Sequence, residues 1–307
     1  MKGVYARANA EQIAARRRVL EGLQTAPLEA KVEIASRVIE QALKIGRPAL
    51  LYSGGKDSTV LLHLVTRQAP DLLTIYNDTT LSDPRLKTWM APFIYSNFPE
   101  IDFRQTTAED PIAMWQKRGH YPIMSKRGHT IYKKRDPQLR ISPVQCCYQL
   151  KEKYANTILG TEEIQVVFWG NRAAESARRL MTFLDNGYLF KPKKYAWHQA
   201  YPIQHFTDQD VADYLKRHVP EYPAGRKAFE TGCLPCATNI TFWPNNLSKL
   251  YQEDRGAWEK YMRAGFAEQI MRIKGIPGSP EEIITTRPEL LLHIETRSLN
   301  RDSRKED

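Results

Sequence analysis

The 307 residues hold 45 Lys and Arg against 35 Asp and Glu, a formal net charge of +10 with a sequence pI near 9.3, and four cysteines. That length allows one large α/β domain or a domain with an appendage, and four cysteines are too few for a disulfide framework. No apolar run approaches the roughly 20 residues that span a bilayer, and the opening MKGVYARANAEQIAARRRVLEG lacks the apolar stretch of a secretory leader. A cytoplasmic protein with no membrane partner is expected. The basic excess favours an anionic partner such as nucleic acid, although an enzyme with a solvated basic face gives the same sum.

Ile13, Leu20 and Leu23, then Val32, Ala35, Ile39 and Ala42, recur near helical spacing around a break at Pro27, so residues 8 to 45 read as two helices. A short apolar strand, Ala49 to Tyr52, follows, then a Gly-containing loop and a helix beginning near Ser58. The alternation continues with a strand over Leu72 to Tyr76 and a helix after Ser82-Asp83-Pro84. Two more strands follow, Ile101 to Gln105 and Gln165 to Trp169. Alternating strands and helices predict a parallel sheet sandwiched by helices. Between Lys117 and Arg140 the pattern breaks into a basic stretch, read as a surface loop or small insertion. Sheet signals fade from Gly232, residues 254 to 274 read as one amphipathic helix, and RSLNRDSRKED is a charged tail. The expected division is a helical lead-in over 1–46, a nucleotide domain over 47–245 and a helical extension with a tail over 246–307.

Ser53-Gly54-Gly55-Lys56-Asp57-Ser58 follows the first strand directly. Small residues there let backbone N–H groups converge on a phosphate, and the next helix aims its positive dipole end at the same anion. The spacing is not that of a Walker loop, so kinase or GTPase chemistry is not the natural reading. SGGKDS resembles the PP-loop of the ATP pyrophosphatase superfamily, whose fold is of the adenine nucleotide alpha hydrolase-like class. The resemblance implies that Ser53, Gly54, Gly55, Lys56 and Ser58 grip the phosphates of ATP or an adenylyl nucleotide, while Asp57 helps hold Mg²⁺. Asp78, in Tyr76-Asn77-Asp78-Thr79-Thr80, matches an Asp-Thr element beside the nucleotide in that superfamily, though it could equally cap a turn.

Cys146-Cys147 and Gly232-Cys233-Leu234-Pro235-Cys236 contain every cysteine of the chain. Four thiolates satisfy either tetrahedral zinc or an iron–sulfur cluster, and the adjacent pair favours the cluster. Cys146-Cys147-Tyr148-Gln149-Leu150-Lys151 with the later G-C-x-x-C resembles the 4Fe-4S pattern of adenylyl-sulfate reductases, and Lys151 matches the family lysine between cluster and nucleotide. Gly170-Asn171-Arg172-Ala173-Ala174-Glu175-Ser176 resembles a further motif of that family, as does Tyr201-Pro202-Ile203 with Phe206 to Val211. A solvated helix face would account for Arg172, Arg178 and Arg179, but Arg172 closes a strand where α/β ligands bind.

Those reductases use a cysteine near their C-terminal end as nucleophile, and no residue after Cys236 is a cysteine. With all four thiolates committed to metal, the enzyme–sulfonate step lacks its nucleophile. What remains resembles the sulfur-mobilising ATP pyrophosphatases of DNA phosphorothioation, of the DndC and SspD type. That resemblance implies adenylylation of an acceptor, DNA sooner than tRNA, before sulfur insertion, with a cysteine desulfurase-like donor as partner. Lys56, Asp57, Lys151 and Arg172 are the expected catalytic residues. Lys117, Arg118, Lys126, Arg127, Lys133, Lys134, Arg135 and Arg140, with Tyr121 and Tyr132, suit a nucleic-acid acceptor, as do Lys191, Lys193 and Lys194. The alternatives are an adenylyl-sulfate reductase using an external thiol, and a non-catalytic nucleotide-sensing DNA-binding regulator.

Overall fold

The computed structural model describes residues 8–118, 146–223, 233 and 246–292. Cys236, most of the basic stretch with Tyr121 and Tyr132, and the charged tail lie outside the described residues. The chain divides into two compact units, one of residues 1–77, 84–106 and 155–231, the other of 78–83, 107–154 and 232–307.

The first unit is built on a six-stranded sheet: β1 Pro48–Tyr52, β2 Leu73–Asp78, β3 Asp102–Thr107, β4 Val166–Phe168, β5 Leu189–Phe190 and β6 His198–Ala200, in the order β3-β2-β1-β4-β6-β5. β1 runs parallel to β2 and to β4, with Leu50 opposite Thr74 on one side and Phe168 on the other. β6 runs parallel to β4, and β5 is antiparallel at the edge. The α/β class read from the sequence is therefore the observed one. β5 and β6 carried no sequence signal, because two- and three-residue strands are too short for a periodicity to show.

Alternation along the strands assigns the two faces. Leu50, Tyr52, Tyr76, Val166, Phe168 and Ala200 pack with Ala35 and Ile39 of α2 (Leu28–Leu43) and with Val60, Leu61 and Leu64 of α3 (Lys56–Thr66). Ala49, Leu73, Ile75 and Val167 face the other way, onto Ala155 and Leu159 of a helix that the sequence reading missed, Lys153–Thr161. A strand buried on both sides has no polar face to advertise, which is why β1 reads as a continuous apolar run.

The lead-in helices are fastened to this unit by charge as well as by apolar contact. α1 (Ala10–Gln24) starts in a capping box between Asn9 and Gln12, and Arg16 Nη1 donates to the Leu184 carbonyl at 2.7 Å. On α2, Lys31 is 1% exposed, and its Nζ reaches Asp210 Oδ2 at 2.7 Å. His205 Nε2 donates to the Lys31 carbonyl at 2.9 Å, and burial pushes the His205 ring down to about 4. Burial would raise Asp210, but the hydrogen bonds from Lys31 and Thr207 outweigh it and hold the carboxyl below its ordinary 3.8.

The second unit is helical. α4 (Pro84–Asn97) belongs to the first unit, and α5 (Pro111–Arg118) opens the second. The single helix read over 254 to 274 is broken in the structure: Arg255–Tyr261 and Ala267–Lys274 flank a wide turn, Met262–Phe266, in which Gly265 takes φ +115°. Pro280–Thr286 adds a further helix. Trp115, Trp258, Phe266, Ile270, Ile283 and Ile284 fill its core. Among the described residues no helix is long and apolar enough to cross a membrane.

Two acid-dependent losses of stability follow. His205, held near 4 against an ordinary 6.5, gives a contribution on the order of 3 kcal/mol that is complete above pH 6.5 and is lost as pH falls through 4. Asp210's contribution is lost only below 3.8. Denaturant titrations across pH should show the upper loss vanish in His205→Gln. Lys31→Met, which strands a buried carboxylate, should cost about 3–5 kcal/mol at pH 7.

Candidate nucleotide site

β1 and β4 lie side by side, and the connections from them run to opposite sides of the sheet, β2 and β3 on one, β6 and β5 on the other. Their carboxyl ends therefore form a topological switch point, the place where open α/β sheets bind ligands. The loop after β1 is Ser53-Gly54-Gly55, and the loop after β4 is Trp169 to Arg172.

Gly54 takes φ +74°, and a Cβ there would sit 2.5 Å from Leu86 Cδ1 and 2.9 Å from Met90 Cε. The turn thus needs glycine for both its backbone conformation and its space. The Gly54 carbonyl accepts from Tyr222 Oη at 3.2 Å. Ser53 Oγ bonds Ser58 Oγ at 3.0 Å and accepts from the Gly55 N–H at 3.3 Å, and Ser58 Oγ is 2.9 Å from the Gly55 carbonyl. Gly55 caps α3 with no side-chain acceptor, so the first turn of the helix offers its dipole to whatever anion enters. Gly170 completes the crevice: a Cβ on it would meet Ser58 Cα at 2.9 Å, so glycine lets the β4 loop lie against the start of α3.

Arg172 is the charge centre. It is 2% exposed, with Nε 2.5 Å from Asp57 Oδ1, Nη2 2.8 Å from Asp208 Oδ1 and Nη1 3.3 Å from the Phe206 carbonyl. Its backbone N–H donates to Glu175 Oε2 at 2.7 Å. Burial works against the guanidinium charge, but Asp57 and then Asp208 outweigh it and keep the cation. Burial also raises the Asp57 carboxyl, with Glu175 adding to the rise while Arg172 and Lys56 oppose it. Lys56 Nζ pairs with the same Asp208 oxygen. The hydrogen bond from Lys56 lowers the Asp208 carboxyl, with Arg172 adding to the effect.

Ser53, Gly54, Gly55, Lys56, Asp57, Ser58 and Arg172 are thus brought together. Asp208, which no site expectation included, joins them; its only sequence signal was its place in the Phe206 to Val211 block. Asp57 is engaged by Arg172, and among the described residues no three Asp, Glu, His or Cys side chains form a metal-holding group. A magnesium ion carried in on phosphate oxygens needs only one or two carboxylates, and Asp57 suits that role. Arg178 and Arg179 lie at the start of a separate helix, Ala177–Asn186, where Arg178 is exposed and Arg179, half-buried, pairs with Glu175.

The other expected site residues lie in the second unit. Asp78 Oδ1 accepts from the Thr80 N–H at 2.7 Å, the turn-forming role that the sequence left open, with Thr80 at φ +60°. Cys146 and Cys147 precede a wide helical turn, Tyr148–Glu152, that carries Lys151. Cys146 and Cys233 share an apolar cluster with Leu81, Ile112, Trp115 and Leu150. Trp115 Nε1 donates to Cys146 Sγ at 3.4 Å, and Cys233 Sγ lies 3.5 Å from Thr79 Oγ1. Cys146 and Cys233 are soft sulfur donors in apolar surroundings, one with an N–H beside it, of the kind an iron–sulfur cluster takes, and Cys236 lies outside the described residues. Of the basic residues, Lys117 and Arg118 end α5, Lys191 and Lys193 are exposed after β5, and Lys194 Nζ lies 4.8 Å over the Tyr195 ring.

Residues 47–239 match the phosphoadenosine phosphosulfate reductase domain. The chain belongs to that family. An adenosine 5'-phosphosulfate reductase of Staphylococcus haemolyticus is 25% identical over 67% of this chain and 77% of its own length. A phosphoadenosine 5'-phosphosulfate reductase of Xylella fastidiosa is 26% identical over 68% and 81%. Among solved structures, the reductase of Candida auris in a phosphate complex aligns with TM-score 0.42 at 13% identity, covering 71% of this chain and 90% of that one. The U34-tRNA thiolase NcsA of Methanococcus maripaludis, with its [4Fe-4S] cluster, aligns with TM-score 0.41 at 15% identity, covering 88% and 82%.

Gly54→Ala should disrupt the loop. The positive φ alone costs about 1–2 kcal/mol, and the added methyl meets Leu86. Thermal melts should show a lower Tm and no rise on adding pyrophosphate, whereas the parent chain is stabilised by it.

Proposed function

We propose that this member of the reductase-domain family is an ATP pyrophosphatase that adenylylates an acceptor before sulfur insertion. The observation that carries the reading is the glycine-bent loop at the switch point, where Lys56, Arg172 and the half-buried Asp57 carboxylate stand together, and assigning all four cysteines to one cluster is consistent with it. An acceptor oxygen attacks the α-phosphorus of ATP, the bond from that phosphorus to the bridging oxygen breaks, and pyrophosphate leaves with the electron pair. The α3 N-terminus, Lys56 and Arg172 stabilise the charge that builds on the departing phosphates. Ser53 and Ser58 orient phosphate oxygens, and Asp57 fixes the Arg172 fork. Magnesium on the phosphates would neutralise part of the leaving-group charge, with Asp57 as its carboxylate. Cys146, Cys147, Cys233 and Cys236 would hold a 4Fe-4S cluster, which supplies iron and sulfide chemistry when bound, and Lys151 is assigned a place beside it. The basic residues support a nucleic-acid acceptor, DNA before tRNA, and a sulfur-donor protein is the implied partner.

The second reading is an adenylyl-sulfate reductase working with an external thiol. It is favoured by the identity to the Staphylococcus and Xylella reductases over two thirds of the chain. It requires a thiol nucleophile other than the four cysteines assigned here to a metal.

Anaerobically purified protein, supplied with ATP, magnesium and nicked or duplex DNA, should release pyrophosphate, and AMP should follow when sulfide is added to displace it from the adenylylated acceptor. Asp57→Asn, which keeps the shape and removes the charge, should lower that rate at least about 100-fold. Sulfite from adenylyl sulfate and thioredoxin, with no pyrophosphate from ATP, would replace the first reading with the second. Iron and sulfide near four each per chain should fall together in Cys146→Ser and Cys236→Ser, whereas a single zinc per chain would refute the cluster.

A further inference from the structure

Asp208 opens the helix Asp208–His218, with its side chain 75% exposed, yet its Oδ1 lies against two cations of the phosphate loop at once, Lys56 Nζ and Arg172 Nη2. A phosphate oxygen gripped by this loop would need the same two partners. One anionic oxygen of the protein already stands there.

We propose that Asp208 is an anionic placeholder, its carboxylate standing where a phosphate oxygen of the substrate is to sit and leaving when a polyphosphate enters. The inference rests on the reading of Ser53 to Ser58 as a phosphate site. Three features make displacement feasible. Arg172 keeps its bonds to Asp57 at 2.5 Å and to the Phe206 carbonyl at 3.3 Å, so the guanidinium stays aimed without Asp208. Asp208 is already largely solvated, so swinging out costs little rehydration or strain. Lys56, 46% exposed, can follow the incoming anion.

The next acidic residue of the same helix shows the contrast. Asp210 is 8% exposed, tied to Lys31 and to the Thr207 N–H and hydroxyl, and cannot move without breaking the helix start. The two carboxylates, two residues apart, are thereby assigned different work. Asp210 fastens the fold, and Asp208 sets a threshold: an anion must outcompete it for both cations, which favours the multiply charged phosphates of a nucleotide over weakly charged solutes. A site whose competent form is only a fraction of the population binds more weakly by that fraction.

The test is calorimetric titration of the full chain with inorganic pyrophosphate in EDTA, comparing the parent with Asp208→Asn. Affinity should rise about 3- to 10-fold, and the gain should shrink in a Lys56→Gln background. Binding of uncharged adenosine should be the same in both, which a general loosening of the fold would not leave unchanged. If Asp208→Asn unfolds, Asp208→Ser carries the same comparison. Unchanged or weaker pyrophosphate binding in the Asn variant would overturn the placeholder alone. No pyrophosphate binding by the parent would overturn it together with the phosphate-site reading.

Discussion

A guanidinium with 2% of its surface exposed must be matched by partners, because an unpaired buried cation costs far more than any single contact returns. Arg172 meets that demand with the Asp57 carboxylate, the Phe206 carbonyl and the Asp208 carboxylate. Each partner belongs to a different piece of backbone: the start of α3, the turn after β6 and the helix at 208–218. Satisfying one charge therefore fixes the relative placement of three segments around the switch point. The same charge is what a phosphate would meet, so the interaction that orders the site also defines its chemistry.

Glycine does the complementary steric work. Gly54 bends the loop at a positive φ and lies under Leu86 and Met90, and Gly170 brings the β4 loop against Ser58. A larger residue at either place would push apart the elements that Arg172 draws together.

In the second unit, Cys146 and Cys233 pack against a helical core. Cys146 and Cys233, far apart in sequence, meet one apolar cluster, with Trp115 donating to one sulfur and Thr79 beside the other. A neutral N–H donor beside sulfur in a low-polarity setting stabilises thiolate charge without a competing cation. The wide turns at Tyr148–Glu152 and Met262–Phe266 interrupt the helices of this unit, one of them directly after the adjacent cysteine pair.

The sequence by itself determined the parts whose causes are local. Pro48–Tyr52 is a buried strand because it is an apolar run, and the chain turns tightly at Ser53-Gly54-Gly55 because small residues stand there. It could not show that Gly265 breaks one helix into two, since a single glycine at φ +115° leaves the apolar periodicity intact. Nor could it show Lys31 pairing with Asp210 across 179 positions, or Asp208 joining Lys56 and Arg172. A charged residue's role depends on which opposite charge lies within a few ångströms and how little water remains between them. Only the tertiary structure decides those two quantities, so it alone separated the solvated charges of this chain from those that hold its fold and form its candidate site.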